Sequence, residues 1–249
     1  MKRLFFCLVF FVSNALVLAN QPVLNHLPTP PANNANNNLF FGLYFGPTVD
    51  WLVPTSGQLE RDAAKGGVIG GVNIDISLDK KKYLFFSTGL CFRYLQGAVS
   101  FENQYDILNT ILVRSTVRYY EIMYLSIPTG VKFRSSPMNG CVFVGKLGLL
   151  HNFKIGGKQF DSFFLPQMLD KKYLVTTEKG VNNDIALFAE SGFLGFGFEY
   201  AFKNHTRVAA SIDYSCQFNY FSPKAKSNIS EAKFKGVVHS LHIVLGFLF

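Results

Sequence analysis

The sequence predicts an all-β protein, an eight-stranded antiparallel up-and-down transmembrane β-barrel, and three observations carry that prediction. Apolar residues recur at every second position in eight segments between residues 39 and 249, which is the period of a strand with one apolar face. The connections between the segments alternate between short and long, as in a barrel with turns at one end and loops at the other. The chain is 49% hydrophobic and only 16% charged, yet beyond its first 20 residues it lacks the charge-free run of about 18 apolar residues that a spanning helix needs.

Residues 1–19 form a predicted signal peptide. Lys2 and Arg3 supply a basic start, residues 4–12 form an apolar core, and Ala19 ends a cleavage site of small residues. The apolar run is too short to cross a bilayer comfortably, which favours cleavage over the alternative of a retained membrane anchor. Cleavage after Ala19 lowers the formal net charge from +8 to +6.

Residues 20–38 are predicted to be a periplasmic tether. This segment is rich in Pro and Asn and shows no hydrophobic period, which is typical of a flexible linker rather than a packed element. We therefore expect the outer-membrane barrel domain to cover residues 39–249.

The first four strands each show this alternation. The first, 39–46, sets Leu and Phe against Gly and Tyr, and the second, 68–78, sets Val, Ile and Leu against Gly, Asn, Asp and Ser. The third, 84–94, has an equally apolar face. The fourth ends with a clear alternation over 125–134, whereas the register of its upper part, 119–123, is ambiguous.

The last four strands complete an even number. The fifth covers 143–152, and the sixth alternates over 194–202, while Glu190 breaks its pattern and indicates either a bulge or the rim of the barrel. The seventh, 207–220, is the clearest, and the eighth, 240–249, ends at an aromatic residue.

The connections predict the topology and the location. The short turns cover 79–82, 135–140 and 203–205, and the long loops cover about 50–65, 101–116, 157–183 and 222–236. Outer-membrane barrels have short periplasmic turns and long external loops, so we expect a bacterial outer-membrane protein with both termini in the periplasm. A soluble β-sandwich with the apolar faces in its core would show the same alternation. Three features disfavour the sandwich: the predicted signal peptide, the unequal loop lengths, and Tyr and Phe near the strand ends, which suit interfacial girdles.

Two segments resemble the PorT-type outer-membrane β-barrel family. Residues 124–133, YLSIPTGVKF, are similar to the family signature L-E-I-P-L-L-L-K-Y, and Thr88-Gly89-Leu90 with Arg93-Tyr94 is similar to its Q-x-G-L-x-Y segment. The resemblance covers 39–249 and implies an eight-stranded outer-membrane barrel with no general catalytic activity. Ser126 stands where the family has Glu, which puts in doubt any interior ion pair through that carboxylate.

The polar faces of the strands predict a charged barrel interior. The residues expected there are Asp75, Arg93, Lys132, Arg134, Lys146, Glu199, Arg207, Asp213 and His242. Because the interior of an eight-stranded barrel is only wide enough for side chains to fill, we expect a hydrogen-bonded ion network. A narrow pore or a small-ligand cavity, with room lent by inward glycines, is the alternative.

The chain contains no convincing catalytic set, so we predict that it is not an enzyme. The last strand carries His239, Ser240 and His242, a combination that invites a hydrolase interpretation. Adjacent strand residues face opposite ways, so His239 and Ser240 cannot share a site. Ser240 and His242 share a face, but Asp213 can orient His242 only if the two strand registers align.

Neither a cofactor nor a metal is indicated. Cys91, Cys141 and Cys216 are widely spaced within apolar runs, so they suggest neither a disulfide framework nor a metal site and are predicted to be small buried hydrophobes. The sequence has no phosphate-binding or nucleotide-binding motif. We expect no cofactor, no metal ion and no nucleic-acid partner.

The expected partners belong to the cell envelope. In the last long loop Lys224, Lys226, Lys233 and Lys235 outnumber Glu231, a net charge of +3, which attracts anionic surfaces. We expect contact with outer-membrane lipid and lipopolysaccharide and with a surface or periplasmic protein. The predicted function is surface interaction or envelope organisation through the external loops. A small pore or ligand carrier and an outer-membrane lipid or peptide hydrolase are the alternatives.

Overall fold

Antiparallel strands pair round a closed circuit. The computed structural model describes residues 38–55, 59–106, 112–138, 140–164, 177–180, 185–201, 206–218 and 235–249. Its strands are β1 (Leu39–Pro54), β2 (Leu59–Arg61), β3 (Lys65–Ser77), β4 (Leu84–Asp106), β5 (Leu112–Arg134), β6 (Cys141–Phe164), β7 (Thr177–Gly180), β8 (Phe188–Ala201), β9 (Arg207–Gln217) and β10 (Gly236–Leu248). The circuit runs β1-β3-β4-β5-β6-β8-β9-β10 and closes because β10 pairs with β1. The predicted eight-stranded antiparallel barrel is therefore confirmed.

Two further strands extend the barrel wall at the loop end. The three-residue β2 pairs with β4, and the four-residue β7 pairs with β6. No helix among the described residues is long and apolar enough to cross a membrane. The predicted signal peptide, the tether up to residue 37, the turn at 203–205 and most of the loop at 222–236 lie outside the described residues.

The apolar faces of the strands point outward. Phe45, Leu147 and Leu245 are 63%, 57% and 59% exposed, whereas the inward Asp50 and Glu199 are 0% and 2% exposed. A sandwich would bury the apolar faces in its core. The outward faces instead form a belt around the barrel, so the soluble-sandwich alternative is wrong.

The alternation inverts in the loop-end part of β4 and in the part of β5 that faces it. Beyond Tyr94 the buried inward residues of β4 include Leu95 and Val99, while the outward Gln96 is half-buried and bonds to the Tyr94 hydroxyl at 2.8 Å. On β5 the inward Ile122 is likewise buried. These segments of β4 and β5 are therefore apolar inside and polar outside, the reverse of the belt. The extension of β6 instead buries the polar Gln159 and Asp161.

The strands are longer than the sequence predicts. The loops expected at 50–65, 101–116 and 157–183 contain the ends of β1, β4, β5 and β6, and β4 and β5 each have 23 residues. In the sequence, the extensions do not continue the outward apolar face of the belt. The two-residue pattern therefore does not predict them as strands, although the backbone pairing continues through them.

The two ambiguous points in the predicted register have different outcomes. At 119–123 the inward residues are Tyr120 and Ile122, and the pairing of β5 with β6 shifts by one residue beside Met123. In β8 the pairing runs through Glu190 without a shift, so Glu190 marks the rim rather than a bulge. Its carboxylate lies 3.4 Å from His151 Nδ1 on the outer wall.

Candidate functional site in the barrel lumen

A buried ion cluster occupies the turn end of the lumen. Lys132 Nζ lies 2.6 Å from Asp75 Oδ2 and 2.7 Å from Glu199 Oε1. Glu199 also pairs with Arg134 and lies 3.7 Å from Arg207 Nη1. The ends of four strands meet here, because these residues lie within two positions of the last residue of β3, β5 or β8 or at the first residue of β9. The predicted interior network is confirmed for these residues.

Two aromatic rings close the turn end around this cluster. Phe40 and Phe85 pack edge to face with their centroids 5.8 Å apart. The Arg134 and Arg207 guanidinium groups lie 5.3 Å and 5.4 Å from the centroids of Phe85 and Phe40, respectively. Cation–π contacts therefore add to the ion pairs in stabilising these buried charges.

A cavity of about 110 Å³ lies above the ion cluster. Its lining includes Lys132 and Glu199 of the ion cluster, together with Lys146, Asp213 and His242. Lys146 Nζ donates to Ser211 Oγ at 2.9 Å and to Asp213 Oδ2 at 3.2 Å. Asp213 Oδ1 is buried and has no hydrogen-bond partner among the described residues. A space of this size, lined by apolar side chains as well as these polar ones, accommodates several ordered waters or one very small ligand.

Arg93 organises the middle of the lumen. Its guanidinium donates to Ser240 Oγ and lies 3.5 Å from Asp50 Oδ1, and Asp50 also accepts a bond of 2.8 Å from Thr48. All four side chains are buried. The sequence interpretation missed Asp50 because it placed that residue in a loop, although Asp50 continues the even-numbered inward face of β1.

The residues of the hydrolase interpretation do not form a triad. The registers do align, since His242 and Asp213 are direct cross-strand partners. However, His242 Nε2 lies 3.3 Å from Ser215 Oγ, Asp213 pairs with Lys146, and Ser240 accepts from Arg93. The hydroxyl beside the imidazole is therefore a different serine, and Ser215 and His242 are 1% and 3% exposed.

An apolar cluster fills the loop half of the lumen. Its members are Leu52, Leu95, Val99, Tyr120, Ile122, Tyr124, Ile185 and Val238. Ile185 precedes β8 and reaches the cluster from the loop end, where Lys154 Nζ donates to its carbonyl at 2.6 Å. Each member is at most 4% exposed, so this apolar plug separates the cavity from the loop end.

A buried ion pair lies beyond the apolar plug, in the extension of β5 and β6. Arg118 Nε and Nη2 donate to the two oxygens of Asp161 at 2.6 Å and 3.0 Å, and Gln159 adds a bond of 3.1 Å to the same carboxylate. Burial opposes the charge of Arg118, but the bonds to Asp161 outweigh it and raise the pKa of the guanidinium. The sequence interpretation missed this pair because it assigned residue 161 to a loop.

The inward glycines serve the curvature of the wall more than the volume of the cavity. A Cβ at Gly148 would lie 2.6 Å from Gly130 Cα and 2.8 Å from Phe193 Cε1, and one at Gly71 would lie 2.6 Å from Cys91 Cα. The neighbouring backbones approach too closely for a side chain. The expectation that such glycines lend room to a ligand is therefore wrong at these two positions.

Ser126 is buried with a neutral partner, whereas the three cysteines differ in exposure. Ser126 is buried and donates to Asn152 Oδ1 at 2.6 Å, so a neutral bond stands at the position where the resembled family carries a Glu. Cys91 is buried as predicted, but Cys141 and Cys216 are partly exposed. Cys216 lies on the outward face of β9 and Cys141 at the first position of β6, which explains their exposure.

Comparisons with known proteins give similar folds only. No family model and no curated protein sequence matches this chain. Neisserial surface protein A has a TM-score of 0.43 at 8% identity, covering 85% of this chain and 96% of that one. The outer membrane protein OprG from Pseudomonas aeruginosa has a TM-score of 0.40 at 14% identity, covering 85% and 96%. The attachment invasion locus protein Ail of Yersinia pestis has a TM-score of 0.36 at 14% identity, covering 86% and 100%.

Proposed function

We propose that this chain is an integral protein of the bacterial outer membrane, whose sealed barrel anchors a rigid extension for contacts outside the membrane. The observation that carries the proposal is the inversion of the alternation along β4 and β5. An apolar outer face followed by a polar one fits a wall that leaves hydrocarbon and enters water. In β4 the outward apolar positions run from Phe86 to Tyr94, which matches the roughly 9–11 residues of a membrane-spanning strand.

The belt supports a membrane location on energetic grounds. Large apolar side chains are exposed on every long strand, with Phe41, Leu90, Ile127, Phe196 and Ile243 between 37% and 64% exposed. Soluble monomers rarely expose continuous apolar patches of more than a few hundred Å². A closed barrel also pairs every backbone group of the spanning strands, as a bilayer requires.

The proposed orientation places the extension outside the cell and both termini in the periplasm. The segment of β4 beyond Leu95 adds roughly 35 Å of strand length at about 3.3 Å per residue, and it lies at the loop end. The predicted signal peptide supports export to the envelope. The resemblance of residues 124–133 to the PorT-type signature supports placement in that family as part of the same proposal.

A sealed lumen favours an anchoring role over transport or catalysis. The apolar plug and the turn-end ion cluster block the lumen at two levels, and the Ser215–His242 pair is buried between them. The buried Arg118–Asp161 pair fixes the two long strands of the extension to each other. Such a platform suits contact with lipopolysaccharide or with a protein at the cell surface.

The test combines insertion with protease mapping. The mature protein, refolded into phosphatidylcholine vesicles, is expected to float with the lipid and to migrate faster in detergent gels before boiling than after. On intact cells, external protease is expected to cut within 165–176 or 219–234 and to spare the N-terminal tether. Recovery of the protein in the soluble periplasmic fraction would refute the membrane proposal, and cleavage of the tether alone would refute the orientation.

The cavity supports small-ligand carriage as a second candidate function. Its volume of about 110 Å³ and the unpartnered Asp213 Oδ1 suit a small ligand that donates hydrogen bonds. Native mass spectrometry of the protein released from its membrane is the measurement. A reproducible bound mass that disappears in Asp213→Leu supports carriage, whereas an unloaded protein of the expected mass rejects it.

A further inference from the structure

Three aromatic side chains stack along the outer wall at the loop end of β1, β9 and β10, beside Arg61 of β2. Trp51 and His239 are cross-strand partners whose rings are nearly parallel, with an interplanar angle of 8° and centroids 5.8 Å apart. The Tyr214 ring lies 5.9 Å beyond His239, and its hydroxyl is 2.5 Å from His239 Nδ1. The Arg61 guanidinium lies 5.8 Å from the Trp51 centroid. We call this group the aromatic–arginine stack.

The aromatic–arginine stack lies at the edge of the apolar belt. Val49, Leu241 and Ile212 are outward aliphatic residues, 45%, 37% and 56% exposed, and each lies two positions toward the turn end from a ring of the stack. Trp and Tyr rings prefer the level of the lipid headgroups, where one side of the ring meets apolar chains and the other meets polar groups. The position of the stack therefore matches the headgroup layer.

Arg61 gives the aromatic–arginine stack its charge. Arg61 is exposed, and no carboxylate among the described residues lies within 4.0 Å of its nitrogens, although Glu60 and Asp62 flank it in the sequence. The guanidinium presents its N–H donors in a planar fork that matches a phosphate, and here it lies over the Trp51 ring. Lys235, exposed at the start of β10, lies beside the end of β1 because its carbonyl accepts from Thr55 N at 2.8 Å.

We propose that the aromatic–arginine stack binds the phosphorylated sugar headgroup of a glycolipid in the outer leaflet. Arg61 holds a phosphate, and the exposed parts of the Tyr214 and Trp51 rings contact the sugar ring. A plain phospholipid supplies the phosphate but no sugar to contact the rings. The inference rests on the proposed function, because only a barrel with its loop end outside meets that leaflet.

The sole tryptophan of the chain is the probe for this site. Because the chain contains one Trp, its emission reports on the aromatic–arginine stack alone. The mature protein is reconstituted in phosphatidylcholine vesicles and titrated with lipid A, a diphosphorylated glucosamine disaccharide lipid, or with phosphatidylglycerol at equal charge. We expect a saturable change in Trp51 emission with lipid A and a weaker, non-saturating one with phosphatidylglycerol.

The variants separate the site from general charge effects. Arg61→Gln is expected to weaken the apparent lipid A affinity about tenfold, since a charge-assisted bond of about 1.5 kcal/mol corresponds to that factor. Arg61→Lys is expected to recover only part of it, because an ammonium lacks the planar fork. Lys81→Gln, exposed in the turn at the opposite end, is the matched control and should leave the affinity unchanged.

Two results would overturn the inference. Equal responses to lipid A and phosphatidylglycerol, or an unchanged affinity in Arg61→Gln, would mean that the aromatic–arginine stack does not recognise the headgroup. Insertion is monitored on the same samples by the heat-dependent gel shift. Inserted protein without a lipid A response rejects the headgroup site alone, whereas protein that does not insert rejects the proposed membrane function.

Discussion

Replacing Glu199 by Gln is the most direct test of the turn-end ion cluster. Glu199 is 2% exposed and faces three cations, with Lys132 Nζ at 2.7 Å, Arg207 Nη1 at 3.7 Å and Arg134 in direct contact. The amide keeps the shape but removes the charge, so Asp75 alone remains to balance the three cations. Breaking a buried ion pair from one side costs about 3–5 kcal/mol, and the loss of three charged contacts places Glu199→Gln in that range.

The assay is urea unfolding in detergent micelles, followed by the fraction of folded band in unboiled gels. Glu190→Gln is the matched control, because Glu190 lies on the same strand but its pair with His151 is on the outer wall, with side chains 40% and 27% exposed. Such a pair contributes about 0–1 kcal/mol. Equal unfolding midpoints for the two variants would refute the argument that the interior network stabilises the barrel. Adding Arg207→Gln to Glu199→Gln should restore part of the loss, because it removes one unbalanced cation.

Three further predictions concern the wall, the extension and the lumen. Gly148→Ala should lower the free energy of unfolding by about 1–3 kcal/mol in the same urea assay, because its Cβ meets the backbone of β5. Gly145→Ala, where a Cβ meets nothing within 4 Å, is the control and should be neutral. Equal effects of the two variants would contradict the close approach of the strands. Arg118→Leu leaves the buried Asp161 carboxylate without its ion pair, so it should speed protease cleavage at the loop end while the heat-dependent gel shift of the barrel persists; unchanged cleavage would mean that the pair does not hold the extension. The wild-type protein in planar bilayers should show no discrete conductance, because the apolar plug seals the lumen, and regular conductance steps would contradict the seal.

Much of the belt was predictable because strand alternation is a local property of the backbone. Ile74 and Asp75 must point to opposite faces whatever their partners are, so the sequence alone assigns the inward charges, including Lys132 and Glu199, to one face. The same reasoning failed at Asp50 and Asp161. Both belong to strands that run past the edge of the belt, beyond the segments in which an outward apolar face marks a strand in the sequence.

Which side chains meet in the lumen depends on the pairing registers of the strands, and no local sequence pattern specifies those registers. The alternation placed Ser240 and His242 on one face. In the structure, however, Ser240 accepts a hydrogen bond from Arg93, and His242 lies beside Ser215. Such partners are separated by 147 and 27 positions in the chain. The glycines show the same limit, since only the neighbouring backbone explains why Gly148 tolerates no side chain.

The sequence by itself determined the strand number, the alternating connections and the composition of the two faces, because each follows from a period of two residues and from where that period stops. The tertiary structure alone decided which charges pair and where the wall changes from apolar to polar. Those features arise when distant strands close into one barrel. Only closure distinguishes an inside from an outside and sets each buried charge beside its partner.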